Sequence, residues 1–231
     1  METTDIARRL HDVKDGLPQG VQLVAVSKFH PADYITAAYN AGQRIFGENI
    51  VQELRQKQQE LPQDIQWHFL GHLQKNKIKY IVPFVSLIHS VDSPELLTEI
   101  NRLAEKAGRV VPCLLQIHVA KEETKFGFTF DECRRMLQDG QWRELSHVKL
   151  CGLMCMASNV SDEAQIRSEF RRVFQFFREI KQQFFADDDA FCQRSWGMSH
   201  DYPIAIEEGS TLVRVGTKIF GERPSRTSSK S

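Results

Sequence analysis

Eight short apolar runs, separated by seven longer stretches of helical periodicity, constrain this chain more than any other feature. The runs lie at 21–27, 44–46, 65–70, 86–91, 111–119, 148–153, 193–197 and 212–215. Helical patterns follow at 31–41, 48–60, 73–81, 93–107, 129–138, 162–186 and 202–208, and METTDIARRLHDVKDGL reads as an amphipathic helix before the first run. Pro31, DSPEL and SDEAQ supply helix start signals. Strands alternating with helices demand a parallel sheet, either closed as a barrel or open and doubly wound. A nucleotide-binding doubly wound sheet would carry GxGxxG or GxxxxGKS/T after its first strand, and neither occurs here. The expected fold class is therefore α/β, a single (β/α)8 TIM barrel over residues 1–223 with a polar tail, RPSRTSSKS, that leaves 224–231 outside it.

Composition narrows the function classes. With 30 basic and 30 acidic residues the formal net charge is +0, which argues against nucleic acid as the main partner. No apolar run approaches membrane-spanning length and the N-terminus is no secretory leader, so no membrane association is expected. Cys113, Cys133, Cys151, Cys155 and Cys192 are odd in number and form no CxxC pair. They read as reduced thiols, and the expected location is cytoplasmic.

In a barrel the chemistry gathers at the C-terminal ends of the strands. The first run, VQLVAVSK, ends there in Lys28. One reading has Lys28 turn outward and snorkel along apolar surface. The other has its amine held in a desolvated pocket, where burial lowers a lysine pKa and yields a nucleophile for an aldehyde. Ser199 follows the seventh run, and Arg214, Gly216 and Thr217 lie in and after the eighth. Loops after the last two strands of such barrels frequently hold a phosphate on Gly backbone amides and hydroxyls. Arg214 sits inside LVRVG and needs an acceptor, since it cannot shed its proton. Its partner is either a carboxylate such as Glu207, Glu208 or Glu222, or an atom of a ligand.

Taken together, AVSK (25–28), AGQRIFGENIVQE (41–53), WHFLGHLQKNK (67–77), GLM (152–154), GMSHD (197–201), AI (205–206) and GSTLVRVGTKIFGER (209–223) resemble the pyridoxal-phosphate homeostasis family, whose fold is that of the alanine racemase barrel domain. The resemblance runs from about residue 6 to 223. It implies pyridoxal 5'-phosphate (PLP) as cofactor and Lys28 as the Schiff-base lysine. It implies that Ser199 and the amides around Gly216 and Thr217 hold the phosphate, that Arg214 faces the pyridine nitrogen, and that Asn49 lies near the cofactor. One departure is His118, where the family usually has Asn.

An arginine at the ring nitrogen disfavours its protonation and makes the ring a poorer electron sink than the carboxylate of many PLP enzymes does. Racemisation needs an acid/base on each face, and Lys28 serves one. Alanine racemase draws the other from a partner subunit closed by an extra β-domain, for which this chain leaves no segment. The expected function is PLP homeostasis without substantial turnover and with no catalytic residue, carried out by a monomer that hands PLP to apo-enzymes. The alternative is a weak PLP-dependent racemase or lyase. Lys125 is a candidate secondary amine for departing PLP. Tyr202 is read as helix packing, and Cys151 and Cys155 as core thiols. His68 and His72 have helical ligand spacing, but Gly71 and the missing third ligand argue against a metal.

Overall fold

The computed structural model describes residues 3–120 and 126–222. The strands are β1 (Gln22–Val26), β2 (Ile45–Glu48), β3 (Gln66–Phe69), β4 (Leu87–Val91), β5 (Val111–Ile117), β6 (Val148–Cys155), β7 (Gln193–Ser195) and β8 (Leu212–Val215). Neighbouring strands pair in parallel in chain order, and β1 closes on β8 with Gln22 opposite Leu212 and Ala25 opposite Val215. This is the closed (β/α)8 barrel, the expected one of the two parallel-sheet folds that the alternation of runs allows. Lys125 and the 224–231 tail lie outside the described residues.

The helices are α1 (Thr3–Asp15), α2 (Ala32–Asn40), α3 (Val51–Glu60), α4 (Pro94–Lys106), α5 (Phe130–Asp139), α6 (Glu163–Phe184), α7 (Tyr202–Glu207) and α8 (Thr217–Phe220). Their ends follow local chemistry. Ser93 accepts from the Leu96 amide ahead of Pro94, Asp162 accepts from the amides of Ala164 and Gln165, and Thr129 forms a capping box with Glu132. Because α8 is a single turn, it cannot cover the seam between β8 and β1. Helix α1 fills that place, packing on α2 and α8 through Ile6, Leu10 and Val13, an i, i+4, i+7 stripe.

Three expected boundaries move. The helix expected at 73–81 is a 3-10 helix, Lys75–Tyr80, because KNKIKY buries only Ile78 and offers no apolar stripe. The helix expected from 48 starts at Val51, since Glu48 still belongs to β2 and turns outward toward α3. Strand β7 stops at Ser195, leaving Trp196 and Gly197 in the loop.

Two apolar clusters result. The larger fills the layer between sheet and helices. The smaller lies inside the barrel and contains Val24, Leu70, Leu87, Leu114, Met154 and Leu212. The interior is completed by polar side chains from β3, β4, β7 and β8, namely His68, His89, Ser195 and Arg214, all buried.

Candidate functional site

One cavity of about 230 Å³ opens at the C-terminal end of the barrel. Lys28, Asn49, Ser199, Arg214, Gly216 and Thr217 all line it, together with His30, Leu70, Met154, Met156, Met198 and His200. The six residues singled out in the sequence therefore converge on one space. Among the described residues no Asp or Glu lines it, whereas Lys28 and Arg214 contribute cationic side chains. Such a lining favours an anionic ligand.

Lys28 stands on a tight turn whose walls are held from behind. The Ser27 carbonyl accepts from the His30 amide (3.1 Å) and from Lys57 Nζ (2.8 Å). Glu48 Oε1 accepts from Ser27 Oγ (2.6 Å) and from Lys57 Nζ (2.7 Å), and Glu53 Oε1 accepts from Lys57 Nζ and from the Phe29 amide, each at 2.6 Å. Phe29 has φ +67°, a left-handed conformation that costs a non-glycine residue ~1–2 kcal/mol. The bond to Glu53 offsets that cost. Lys57 belongs to the buried stripe of α3 with Val51 and Leu54. Burial pushes Glu48 up to about 7, with Lys57 opposing the rise and Glu53 adding to it.

On the opposite wall, Ser199 Oγ accepts from the Gly216 amide (3.2 Å) and from Thr217 Oγ1 (3.3 Å). Two hydroxyls and an amide thus converge where the sequence placed a phosphate. Gly216 is required by close approach, because a Cβ there would stand 2.8 Å from the Val26 carbonyl oxygen. Asn49 Oδ1 is buried without a hydrogen-bond partner among the described residues, and its side chain lines the cavity. The backbone of Asn49 lies so close to Gly71 that a Cβ on Gly71 would sit 2.1 Å from the Asn49 carbonyl.

Arg214 is buried and its bonds go to no carboxylate. Nη1 donates to the Ser195 carbonyl (2.7 Å) and to Ser195 Oγ (2.5 Å), and Nη2 donates to the Cys155 carbonyl (2.8 Å). Glu207 and Glu208, considered as partners from the sequence, instead bind Arg167 and Arg171 on α6. Burial lowers the Arg214 pKa from its usual value, and the nearby Cys155 and Asp201 act in the other direction.

The remaining candidates separate. His68 points into the barrel and bonds His89, whereas His72 is stacked on Phe126 and bonded to Asp92 on the outside, so the two do not converge. Tyr202 opens α7 and carries Lys218 Nζ over its ring at 4.7 Å. His118 pairs its amide with the Phe128 carbonyl and does not line the cavity. Burial raises the Cys155 thiol far above its ordinary value and Cys151 to about 11, which suits packing and not attack. Sequence reasoning missed Lys57, Ser195 and His89, and weighed His68 only as a metal ligand. A signal for Lys57 existed, namely a lysine in the apolar stripe of a helix that follows an acidic strand end.

This geometry defines a (β/α)8 barrel with an anion-favouring cavity at the C-terminal ends of its strands. Residues 2–224 match the family model for the alanine racemase N-terminal domain, so the chain belongs to that family. More narrowly, it belongs with the pyridoxal phosphate homeostasis proteins. It is 38% identical over 203 residues to the member from Aquifex aeolicus, covering 87% of each chain. Among solved structures it is similar to PipY of Synechococcus elongatus with PLP bound, at TM-score 0.86 and 41% identity, over 94% of this chain and 100% of that one. Alanine racemase from Bartonella henselae shares the fold at TM-score 0.73 and 16% identity, over 97% of this chain and 60% of the racemase.

Proposed function

We propose that this protein holds pyridoxal 5'-phosphate on Lys28 as a Schiff base and serves PLP homeostasis, storing and releasing the cofactor without substantial turnover. The observation that carries the reading is the convergence of all six residues on one cavity that is rich in cationic and hydroxyl groups and has no carboxylate in its described lining. The residues fit the ligand group by group. Ser199 Oγ, Thr217 Oγ1 and the Gly216 amide bind the phosphate. Arg214 faces the ring nitrogen, and the unpartnered Asn49 Oδ1 takes up a polar edge of the ring. The Ser27–Glu48–Lys57–Glu53 brace orients Lys28 toward the carbonyl carbon.

PLP supplies a reactive aldehyde and an electron-withdrawing ring. Arg214 does not give the ring nitrogen a proton, so the site stores that reactivity better than it exploits it. Racemisation would also need a proton-transfer group facing Lys28 across the ring. Of the other titratable side chains in the described lining, His30 is packed between Tyr34 and Phe220, and His200 lies 3.4 Å from Asp201. In this reading the protein works in the cytoplasm as a monomer and passes PLP to apo-enzymes.

Freshly purified protein should show a near-visible imine band that borohydride abolishes, leaving the label on Lys28. A Lys28→Ala protein that keeps the band sinks the proposal. Conversion of single-enantiomer amino acids, abolished by Lys28→Ala, would replace the carrier with a racemase.

A further inference from the structure

Arg214 is the first member of a buried chain that runs down through the barrel. Its Nη1 donates to Ser195 Oγ, which lies 2.9 Å from His89 Nδ1, and His89 Nε2 lies 3.0 Å from His68 Nδ1. All four side chains are buried. His68 also lines an opening at the N-terminal end of the barrel, beside Gln22, Gln66, Ser86 and Gln193. The chain therefore joins the cofactor mouth to the opposite end of the molecule.

Donor counting fixes its direction. A guanidinium only donates, so Ser195 Oγ accepts from Arg214. The serine hydrogen then goes to His89 Nδ1, and His89 Nε2–H donates to His68 Nδ1. His68 is left with its Nε2–H for the lower opening. The reverse order would strand the Ser195 hydroxyl hydrogen in the barrel core, which is costly. Both imidazoles must also be neutral, because among the described residues no carboxylate acts on either ring, while Arg214, whose own charge Asp201 opposes, already stands beside them. Burial acts in the same direction on both rings, and Arg214 and His68 add to it at His89.

The chain also decides which hydrogens the guanidinium has left. Of its five N–H groups, Nη1 spends two on Ser195 and Nη2 spends one on Cys155. The Nε–H and one Nη2–H remain for a ligand.

We propose that Ser195, His89 and His68 are positioning residues for Arg214, an uncharged relay of fixed direction that holds the guanidinium in one orientation beneath the bound cofactor. The proposal rests on the PLP reading for its ligand but not for its tautomers, which are a property of the chain alone.

Histidine-selective 15N spectra of the full chain, stripped of PLP, test the relay directly. The expected result is the Nε2–H tautomer at both His89 and His68, with neither ring titrating down to about pH 5. The titratable and charged groups facing His89 are His68 from β3 and Arg214 from β8. An Nδ1–H tautomer at His89, or titration of either ring near pH 6.5, overturns the relay. In the second arm, His89→Phe and Ser195→Ala are compared with wild type after thermal melts establish that they fold. Loss of the charge-assisted anchor should weaken PLP binding roughly tenfold and displace the band of bound PLP. The borohydride label should stay on Lys28. Unchanged affinity and band in a folded variant overturn the positioning role. Wild-type protein that binds no PLP would defeat the functional reading while leaving the tautomer result standing.

Discussion

Two buried polar networks flank the cavity, and they handle charge in opposite ways. Behind Lys28, outside the barrel wall, Ser27, Glu48, Lys57 and Glu53 form an ionic brace. Behind Arg214, inside the barrel, Ser195, His89 and His68 form an uncharged chain. The difference is one of available counter-charge. Lys57 has two carboxylates and a carbonyl within 2.8 Å, so its desolvation is offset. Among the described residues the histidines face a fixed arginine cation and no carboxylate, so the interior tolerates them only without charge.

The sharpest way to break the brace is Lys57→Met. It leaves Glu48 buried beside Glu53 with no cation, and losing one partner of a buried pair costs about 3–5 kcal/mol. Urea unfolding at pH 8 should show that loss as a lower midpoint at unchanged slope. A loss below about 1 kcal/mol would mean that the brace is not ionic.

The pH dependence of stability separates the networks, because their shifts have opposite signs. Glu48 is raised from 4.5 to about 7, so its favourable contribution is complete below pH 4.5 and disappears as pH rises toward 7. That change is worth on the order of 3 kcal/mol. His68 is lowered from 6.5 to about 3, so its contribution is complete above pH 6.5 and is lost as pH falls toward 3. The histidine effect is on the order of 5 kcal/mol. Between pH 4.5 and 6.5 the two partly cancel in the wild type. Glu48→Gln should remove the loss between pH 4.5 and 7, and His68→Phe should make the acid limb below 6.5 shallower, the remainder being carried by His89. Unfolding free energies measured from pH 4 to 8 check both, and identical slopes in all three proteins would refute the contrast.

The smallest effect falls at the edge of the brace. Glu53 is partly exposed, at 20%, and its main additional task is the Phe29 amide in the left-handed turn. Glu53→Ala should cost about 1 kcal/mol in urea unfolding, the net value of a modest hydrogen bond. It should also broaden the reactivity of Lys28 toward PLP, measured as a slower approach to the full imine band.

Much of the site was readable before any coordinates. Lys28 ended an apolar run, LVRVG held an arginine in a strand, and a hydroxyl and glycines followed the last two runs. Each breaks a local pattern, and functional residues tend to reveal themselves by such breaks. Lys57 broke a pattern too, but a lysine in an amphipathic stripe is ambiguous, since its stem can snorkel. The relay left almost no trace. His68 and His89 lie 21 residues apart and Ser195 lies 106 beyond His89. No periodicity links positions on different strands whose side chains meet only inside a closed barrel.

The sequence alone determined a parallel α/β sheet, because alternating apolar runs and amphipathic helices leave few ways to bury both faces, and the missing nucleotide-binding motifs favoured its closure into a barrel. It also put Lys28, Ser199, Arg214, Gly216 and Thr217 toward one end, because strand direction puts every strand-end loop on the same face, and the family resemblance added Asn49. Only the tertiary structure decided what stands behind those residues. Inward and outward registers are set by how eight strands close on one another. That closure put Glu48 against Lys57 in one layer and turned Arg214, Ser195, His89 and His68 into a single line in the other.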